Sequence, residues 1–208
     1  MEVCVIQGDG IGHEVVPAAI KVIHTLLPDV TIHEAYAGWD EFETNGISLP
    51  QETIDIAKRA GTVIFGAASS PAYPVAGYYS PIVRLRREMQ AYANLRPARY
   101  LPVPTSRPGV DLIVVRENTE DLYVGNETTQ ADGNTVIAEK LITRGATERV
   151  AKLAYELAIS TGRKRVTIVT KANVLPQSDG LFRRVALEVA ANYPEIDTDE
   201  LLVDTAAY

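Results

Sequence analysis

Cysteine is nearly missing from this chain of 208 residues, which carries one thiol, Cys4. A single cysteine excludes an internal disulfide framework and a cysteine-based zinc site. Its neighbours Val3, Val5 and Ile6 are those of a strand interior, so Cys4 is expected to be buried and inert rather than nucleophilic. Long apolar runs are also missing: none approaches the roughly 18–20 residues that span a bilayer. The opening Met1-Glu2-Val3-Cys4-Val5-Ile6 lacks the basic start and apolar stretch of a signal peptide, which points to the cytoplasm. Positive charge is short, with 20 Lys+Arg against 27 Asp+Glu and a formal charge of −7. No nucleic-acid surface is expected from such a balance, and no membrane association. Internal repeats and low-complexity tracts are absent as well. Apolar residues, by contrast, make up 46% of the chain, enough to bury a sizeable core and too many for a disordered segment.

The pattern along the chain alternates. Residues 3–7 read as a strand. A glycine-rich turn follows, then a helix in which Val15, Val16, Ala19, Val22, Ile23, Leu26 and Leu27 recur at three- and four-residue spacing. Residues 30–35 form a second strand, 38–44 a short helix ended by Asn45-Gly46, 50–60 a helix with Ile54 and Ala57 inward, and 62–66 a buried strand. Such alternation predicts an α/β architecture with a parallel sheet covered on both faces. Residues 67–79 read as a loop. Ser80-Pro81 opens a helix to about Gln90, with serine at the N-cap and proline in the first turn. The proline-rich stretch 100–109 should be extended, and the domain crossing is placed near it, giving units 1–98 and 99–208. Beyond it come an apolar strand at 110–115, two strands at 123–131 and 135–143 joined by the hairpin signal Asp132-Gly133, a helix at 146–161, a strand at 165–170, a helix at 179–192 and a last strand at 200–203.

Gly8-Asp9-Gly10-Ile11-Gly12 lies between strand and helix, where backbone can approach a ligand and a helix N-terminus favours an anion. It falls short of the dinucleotide fingerprint, because His13 holds the place of the third glycine. A tight turn without ligand explains it equally well. Arg116 and Lys171 each follow an apolar strand, and strand ends in α/β sheets are where ligands bind. Arginines from several elements can grip a small polycarboxylate through paired N–H donors, or each can serve only a surface ion pair. Helical spacing sends Arg84 outward, four residues before Glu88 in a plausible exposed pair, and Arg86 to a pocket, with Arg87 open to either. Tyr123 and Lys171 are candidate proton donor and acceptor, whose ordinary pKa values near 10 demand local charge or burial; a packed tyrosine and a solvated lysine remain the plain alternative.

Taken together, Gly8-Asp9-Gly10-Ile11-Gly12, Asn94-Leu95-Arg96-Pro97, Arg116-Glu117-Asn118-Thr119-Glu120, Lys171-Ala172-Asn173 and Val203-Asp204 resemble the β-decarboxylating dehydrogenases, which include isocitrate, 3-isopropylmalate, homoisocitrate and tartrate/malate enzymes. The resemblance runs over the whole chain. It implies an isopropylmalate-dehydrogenase-like two-domain α/β/α fold, here truncated, in which residues 1–98 belong to the large cofactor-side domain and 99–208 to the small dimerisation domain. It also implies the reaction: a 2-hydroxy acid with a carboxylate on C3 is oxidised by NAD or NADP, the β-keto acid loses CO₂, and the enolate is protonated.

By position, the resemblance assigns Ser80, Arg86, Arg96, Arg116 and Asn173 to substrate and Ile11, Ser69 and Asn173 to cofactor. Lys171 takes the hydroxyl proton, Tyr123 protonates the enolate, and Asp204 is a ligand of Mg²⁺ or Mn²⁺. Lys171 and Asp204 would serve the partner subunit's site, so a homodimer or tetramer with shared sites is implied, with residues 123–143 as an inter-subunit clasp. The run Ser80-Pro81-Ile82-Val83 with Leu85-Arg86-Arg87-Glu88-Met89 is most similar to homoisocitrate dehydrogenases. So are Phe65-Gly66-Ala67-Ala68 and Ser106-Arg107-Pro108-Gly109-Val110-Asp111. The implied conversion is homoisocitrate to 2-oxoadipate in lysine biosynthesis, with isocitrate as a second substrate. Alternatives are isocitrate or 3-isopropylmalate dehydrogenase, or a non-catalytic tricarboxylate-binding fragment. Two further metal-binding aspartates and the adenosine-holding loop would lie beyond Tyr208, so the 208 residues alone are expected to be inactive.

Overall fold

The computed structural model describes residues 1–208, which divide into two compact units, Met1–Ala91 and Tyr92–Tyr208. The division precedes the one expected after residue 98. Residues 93–99 form a strand paired with the strand that follows it, so the polypeptide enters the second unit before the proline-rich stretch. No helix is long and apolar enough to cross a membrane.

The first unit runs β1 (Glu2–Gly8), α1 (Gly12–Leu26), β2 (Thr31–Ala35), α2 (Trp39–Asn45), α3 (Gln51–Ala60), β3 (Val63–Ala67) and α4 (Pro81–Glu88). Its parallel sheet has the order β2-β1-β3. β1 is central, and its side chains alternate between two cores as the pleat requires. Cys4 and Ile6 join Leu49, Ile54, Ala57 and Leu85. Val3 and Val5 join Val16 and Val30, with Ile20 and Ile23 against them. Cys4 is fully buried, and burial pushes its thiol pKa up, which fits an inert group. The expected apolar face of α1 is only half used. Val16 is buried, whereas Val15, Val22 and Leu26 are 48%, 57% and 72% exposed, because the helix touches the sheet along a stripe narrower than its apolar surface. β3, expected to be buried, is half-buried, since it has a strand neighbour on one side only.

The second unit contains β4 (Ala93–Arg99), β5 (Asp111–Glu117), a 3-10 turn (Leu122–Val124), β6 (Glu127–Thr129), β7 (Val136–Ala138), α5 (Arg144–Ser160), β8 (Arg165–Thr170), α6 (Ser178–Ala190), β9 (Asp197–Leu202) and α7 (Val203–Ala207). Its strands pair two by two: β4 with β5 and β6 with β7 antiparallel, β8 with β9 parallel. Ala151 of α5, Ile168 of β8 and Ala186 of α6 share one apolar cluster. Tyr155 stacks on Tyr193 at 5.0 Å and shares a 2.9 Å hydrogen bond with Thr198. Thr143 caps α5 by accepting from the Ala146 N–H.

Three expectations change here. Residues 100–109 are not extended but turn the chain back from β4 to β5, closed by the Tyr100 N–H donating to the Val110 carbonyl at 2.7 Å. The hairpin around Asp132-Gly133 exists, but its strands shrink to three residues each. All six are exposed, so no buried face extends the pairing, and Tyr123 falls in the 3-10 turn instead. The last strand starts earlier, and Val203 opens a short helix.

Candidate active site

Gly8 has φ +73, and a Cβ there would lie 1.7 Å from the Ala67 carbonyl oxygen. The glycine is therefore needed to bring the end of β1 against β3, whatever the turn binds. The helix N-terminus itself does not meet the expectation of an anion site. The N–H groups of Gly12, His13 and Glu14 already donate to the carbonyls of Asp9, Gly10 and Ile11 at 2.9, 3.1 and 3.0 Å, and Glu14 adds negative charge to the first turn.

The active element of this turn is Asp9, which the sequence reading passed over. Its buried carboxylate accepts from the backbone N–H groups of Trp39 (2.9 Å), Asp40 (3.0 Å) and Ser69 (2.6 Å). It thereby starts α2 and pins the segment after β3. Gly38, at φ +133, leaves the room: a Cβ would sit 2.2 Å from Asp9 Oδ1. Ile11 and Ser69 consequently stand on neighbouring turns at the C-terminal ends of parallel β1 and β3, both exposed, where open α/β sheets take ligands.

Ser80 occupies the N-cap of α4 with Pro81 at its first position, yet its hydroxyl does not cap the helix. The side chain is exposed instead. Pro81 and Leu85 form the buried face, Arg86 is half-buried, and Arg84 points outward as expected. The expected Arg84–Glu88 pair does not form. Arg84 donates to the Tyr79 hydroxyl at 2.6 Å and lies over its ring, while Glu88 accepts from Lys58 at 2.7 Å, which lowers the Glu88 pKa.

In the second unit, Asn94 is opposite Arg116 and Arg96 opposite Val114 in the β4–β5 ladder. Side chains two apart, and those directly across, share a face. Arg96 and Arg116 therefore stand diagonally on one face. Arg96 Nε donates to Asn94 Oδ1 at 3.0 Å, and the Arg116 guanidinium lies 4.6 Å from the centroid of the Tyr123 ring. Neither takes an acidic partner, nor do Arg107 and Arg184, whereas Arg99, Arg144, Arg149, Arg163, Arg165 and Arg183 do. This argues against a plain surface ion pair for Arg96 and Arg116. The carboxylates of the same motif have other work. Glu117 accepts from the Thr119 hydroxyl and the N–H groups of Thr119 and Glu120, and Glu120 grips Thr143 at the start of α5.

Lys171, directly after β8, and Asp204, in α7, form an ion pair because β8 and β9 run parallel in register, Thr170 beside Leu202. The ammonium holds the Asp204 carboxyl below the usual carboxylate range. Asn173 is exposed in the turn between β8 and α6. Asp179, in the first turn of α6, accepts from the Lys171 backbone N–H at 2.7 Å and from Lys140 Nζ at 2.5 Å. A divalent cation site does not close within these residues. A hard cation takes oxygen donors, commonly one or two carboxylates with water and substrate. Asp204 supplies one, it is already paired, and no group of three or more His, Cys, Asp or Glu is gathered anywhere in the chain.

The structure thus places Arg96 and Arg116 on one face with Tyr123 against Arg116, and separately pairs Lys171 with Asp204, Asn173 lying in the turn after Lys171, all in the second unit. Ser80 and Arg86, and Ile11 and Ser69, stand on the first. Residues 2–208 match the family model described as isocitrate/isopropylmalate dehydrogenase. The chain belongs to this family. It is 45% identical over 205 residues to an isocitrate/homoisocitrate dehydrogenase of Thermus thermophilus, covering 99% of this chain and 61% of the relative. It is 43% identical over 208 residues to a 3-isopropylmalate dehydrogenase of Methanothermobacter thermautotrophicus, covering 100% and 61%. The fold matches the crystal structure of isocitrate dehydrogenase from Methylococcus capsulatus with a TM-score of 0.93 at 35% identity, covering 99% of this chain and 61% of that one. The fold class read from the sequence is that of the family, and the chain spans about three fifths of the length of these relatives.

Proposed function

We propose that the protein carrying this chain performs an oxidative β-decarboxylation of a 2-hydroxy tricarboxylate, with NAD or NADP as hydride acceptor and Mg²⁺ or Mn²⁺ as cation. Homoisocitrate is the preferred substrate, giving 2-oxoadipate for lysine biosynthesis, and isocitrate a second one. The observation that carries this reading is the pair of arginines on one face of the β4–β5 ladder, free of acidic partners and adjoining Tyr123. Charged donors held this way match carboxylates in geometry and sign.

In this reading Arg86, Arg96 and Arg116 bind the substrate carboxylates, and Ser80 and Asn173 its hydroxyl-bearing edge. Tyr123 delivers a proton from its hydroxyl to the enolate carbon left after CO₂ departs. Lys171 Nζ accepts the hydroxyl proton, so the ammonium that pairs with Asp204 must first give up a proton and act as the neutral amine. Ile11, Ser69 and Asn173 contact the nicotinamide cofactor. Asp204 would give the cation one carboxylate oxygen, and these 208 residues gather no set of three or more His, Cys, Asp or Glu donors around it. Homodimers or tetramers with shared sites, residues 123–143 as the clasp and a cytoplasmic location complete the proposal.

For the 208 residues taken alone, the incomplete donor set favours a second reading: tricarboxylate binding without turnover. The test is cofactor reduction with homoisocitrate, isocitrate and 3-isopropylmalate in the presence of Mn²⁺, run with the intact mass of the protein used. Turnover fastest with homoisocitrate, lost in Lys171→Met, supports the proposal. No turnover on any of the three in a protein of the relatives' full length overturns it. Turnover at 22.7 kDa overturns the binding-only reading.

A further inference from the structure

Asp179 and Lys140 stand outside the residues that touch substrate in the reading above, yet they join the two elements that carry its proton-transfer groups. One Asp179 oxygen accepts the backbone N–H of Lys171, the other the ammonium of Lys140. That ammonium also lies 3.8 Å from the Asp121 carboxylate. Asp121 opens the 3-10 turn of Tyr123: its Oδ1 accepts the Leu122 N–H at 2.8 Å, and its own N–H donates to the Leu141 carbonyl at 2.9 Å. Its φ is +65, a conformation uncommon outside glycine that persists where surroundings enforce it. Asp179 is buried, and a buried carboxylate is stable only with its lone pairs filled.

We propose that Asp179 and Lys140 are positioning residues that set Lys171 and Tyr123 together, with one ammonium bracing the turn of the tyrosine against the loop of the lysine. The proposal rests on the proton-transfer roles given above. It does not require both side chains of one subunit to meet the same substrate molecule, since the brace fixes where each backbone segment lies. Misplacing a reacting group by about 1 Å costs on the order of a hundredfold in rate, so a support of this kind shows in turnover more than in binding.

The experiment uses the intact protein with Asp179→Asn, Lys140→Met and Lys140→Arg, each confirmed as folded by its melting temperature. Asp179→Asn and Lys140→Met are expected to lower kcat by about 10–100-fold with KM for substrate changed by less than about threefold. Lys140→Arg, which keeps the cation, should recover most of the rate, and the double variant should lose no more than the worse single one. Unchanged kcat in folded Lys140→Met, or a loss that Arg does not rescue and that follows the melting temperature, overturns the proposal. A second readout is hydrogen exchange of the Lys171 amide, expected to accelerate in Lys140→Met. If the wild type shows no turnover, the functional reading fails, and the exchange decides the brace alone: faster exchange supports it and unchanged exchange overturns it.

Discussion

Each unit contains a buried aspartate that ties a turn to a helix start, and the two are satisfied differently. Asp9 in the first unit is held by three backbone N–H groups and no cation. Asp179 in the second takes one backbone N–H and an ammonium. An acid satisfied by backbone alone is a piece of the fold, because removing it orphans donors in two separate segments. An acid satisfied by a cation couples side chains, because its partner has other neighbours.

The largest effect is expected from Asp9→Ala. Three backbone N–H groups would lose a charged acceptor, and bonds to charged groups contribute about 1.5–3 kcal/mol each, so urea unfolding should show a loss of about 3 kcal/mol or more. Gly38→Ala attacks the same cradle from the other side, through the 2.2 Å clash with Asp9 Oδ1 and a φ of +133. About 1–3 kcal/mol is expected from the same unfolding curve.

Asp179 is tested by pH. Burial pushes its pKa up, but the Lys140 hydrogen bond and the Lys171 N–H more than offset this, and the folded pKa lies below the ordinary one. A depressed carboxylate contributes stability that is present above its unfolded pKa near 4 and is lost as the pH falls through the folded value. The stability gap between wild type and Asp179→Asn should therefore be constant from pH 7 to about 5 and close as the pH falls below about 4. A gap that holds steady into acid would contradict a contribution from the charged Asp179 carboxylate.

The alternating strands and helices of the first unit were legible because β1 places four apolar residues on two faces and α3 carries Ile54 and Ala57 at helical spacing. β4 was not, since Asn-Leu-Arg-Pro has neither apolar alternation nor a strand-like interior, and only its partner β5 makes it a strand. The 3-10 turn under Tyr123 depends on the positive φ of Asp121, which side-chain pattern does not reveal. Arg84 and Glu88 had helical spacing for a pair, but Lys58 from a neighbouring helix takes the glutamate. For the candidate site, motif resemblance nominated Arg96, Arg116, Tyr123, Lys171 and Asp204. Asp9 and Asp179 were not named as site residues, because their partners lie on other elements and no local spacing marks them.

The central proposal is that Arg96 and Arg116, which take no acidic partner of their own, bind substrate carboxylates. The most direct measurement is calorimetric binding of homoisocitrate to the wild type, Arg96→Ala, Arg116→Ala and, as a control, Arg99→Ala, whose arginine already faces Asp111. A charge-assisted bond contributes about 1.5–3 kcal/mol, so each of the first two variants should weaken binding by about 10–100-fold, and Arg99→Ala should leave it unchanged. Equal affinity in all four proteins would contradict the account.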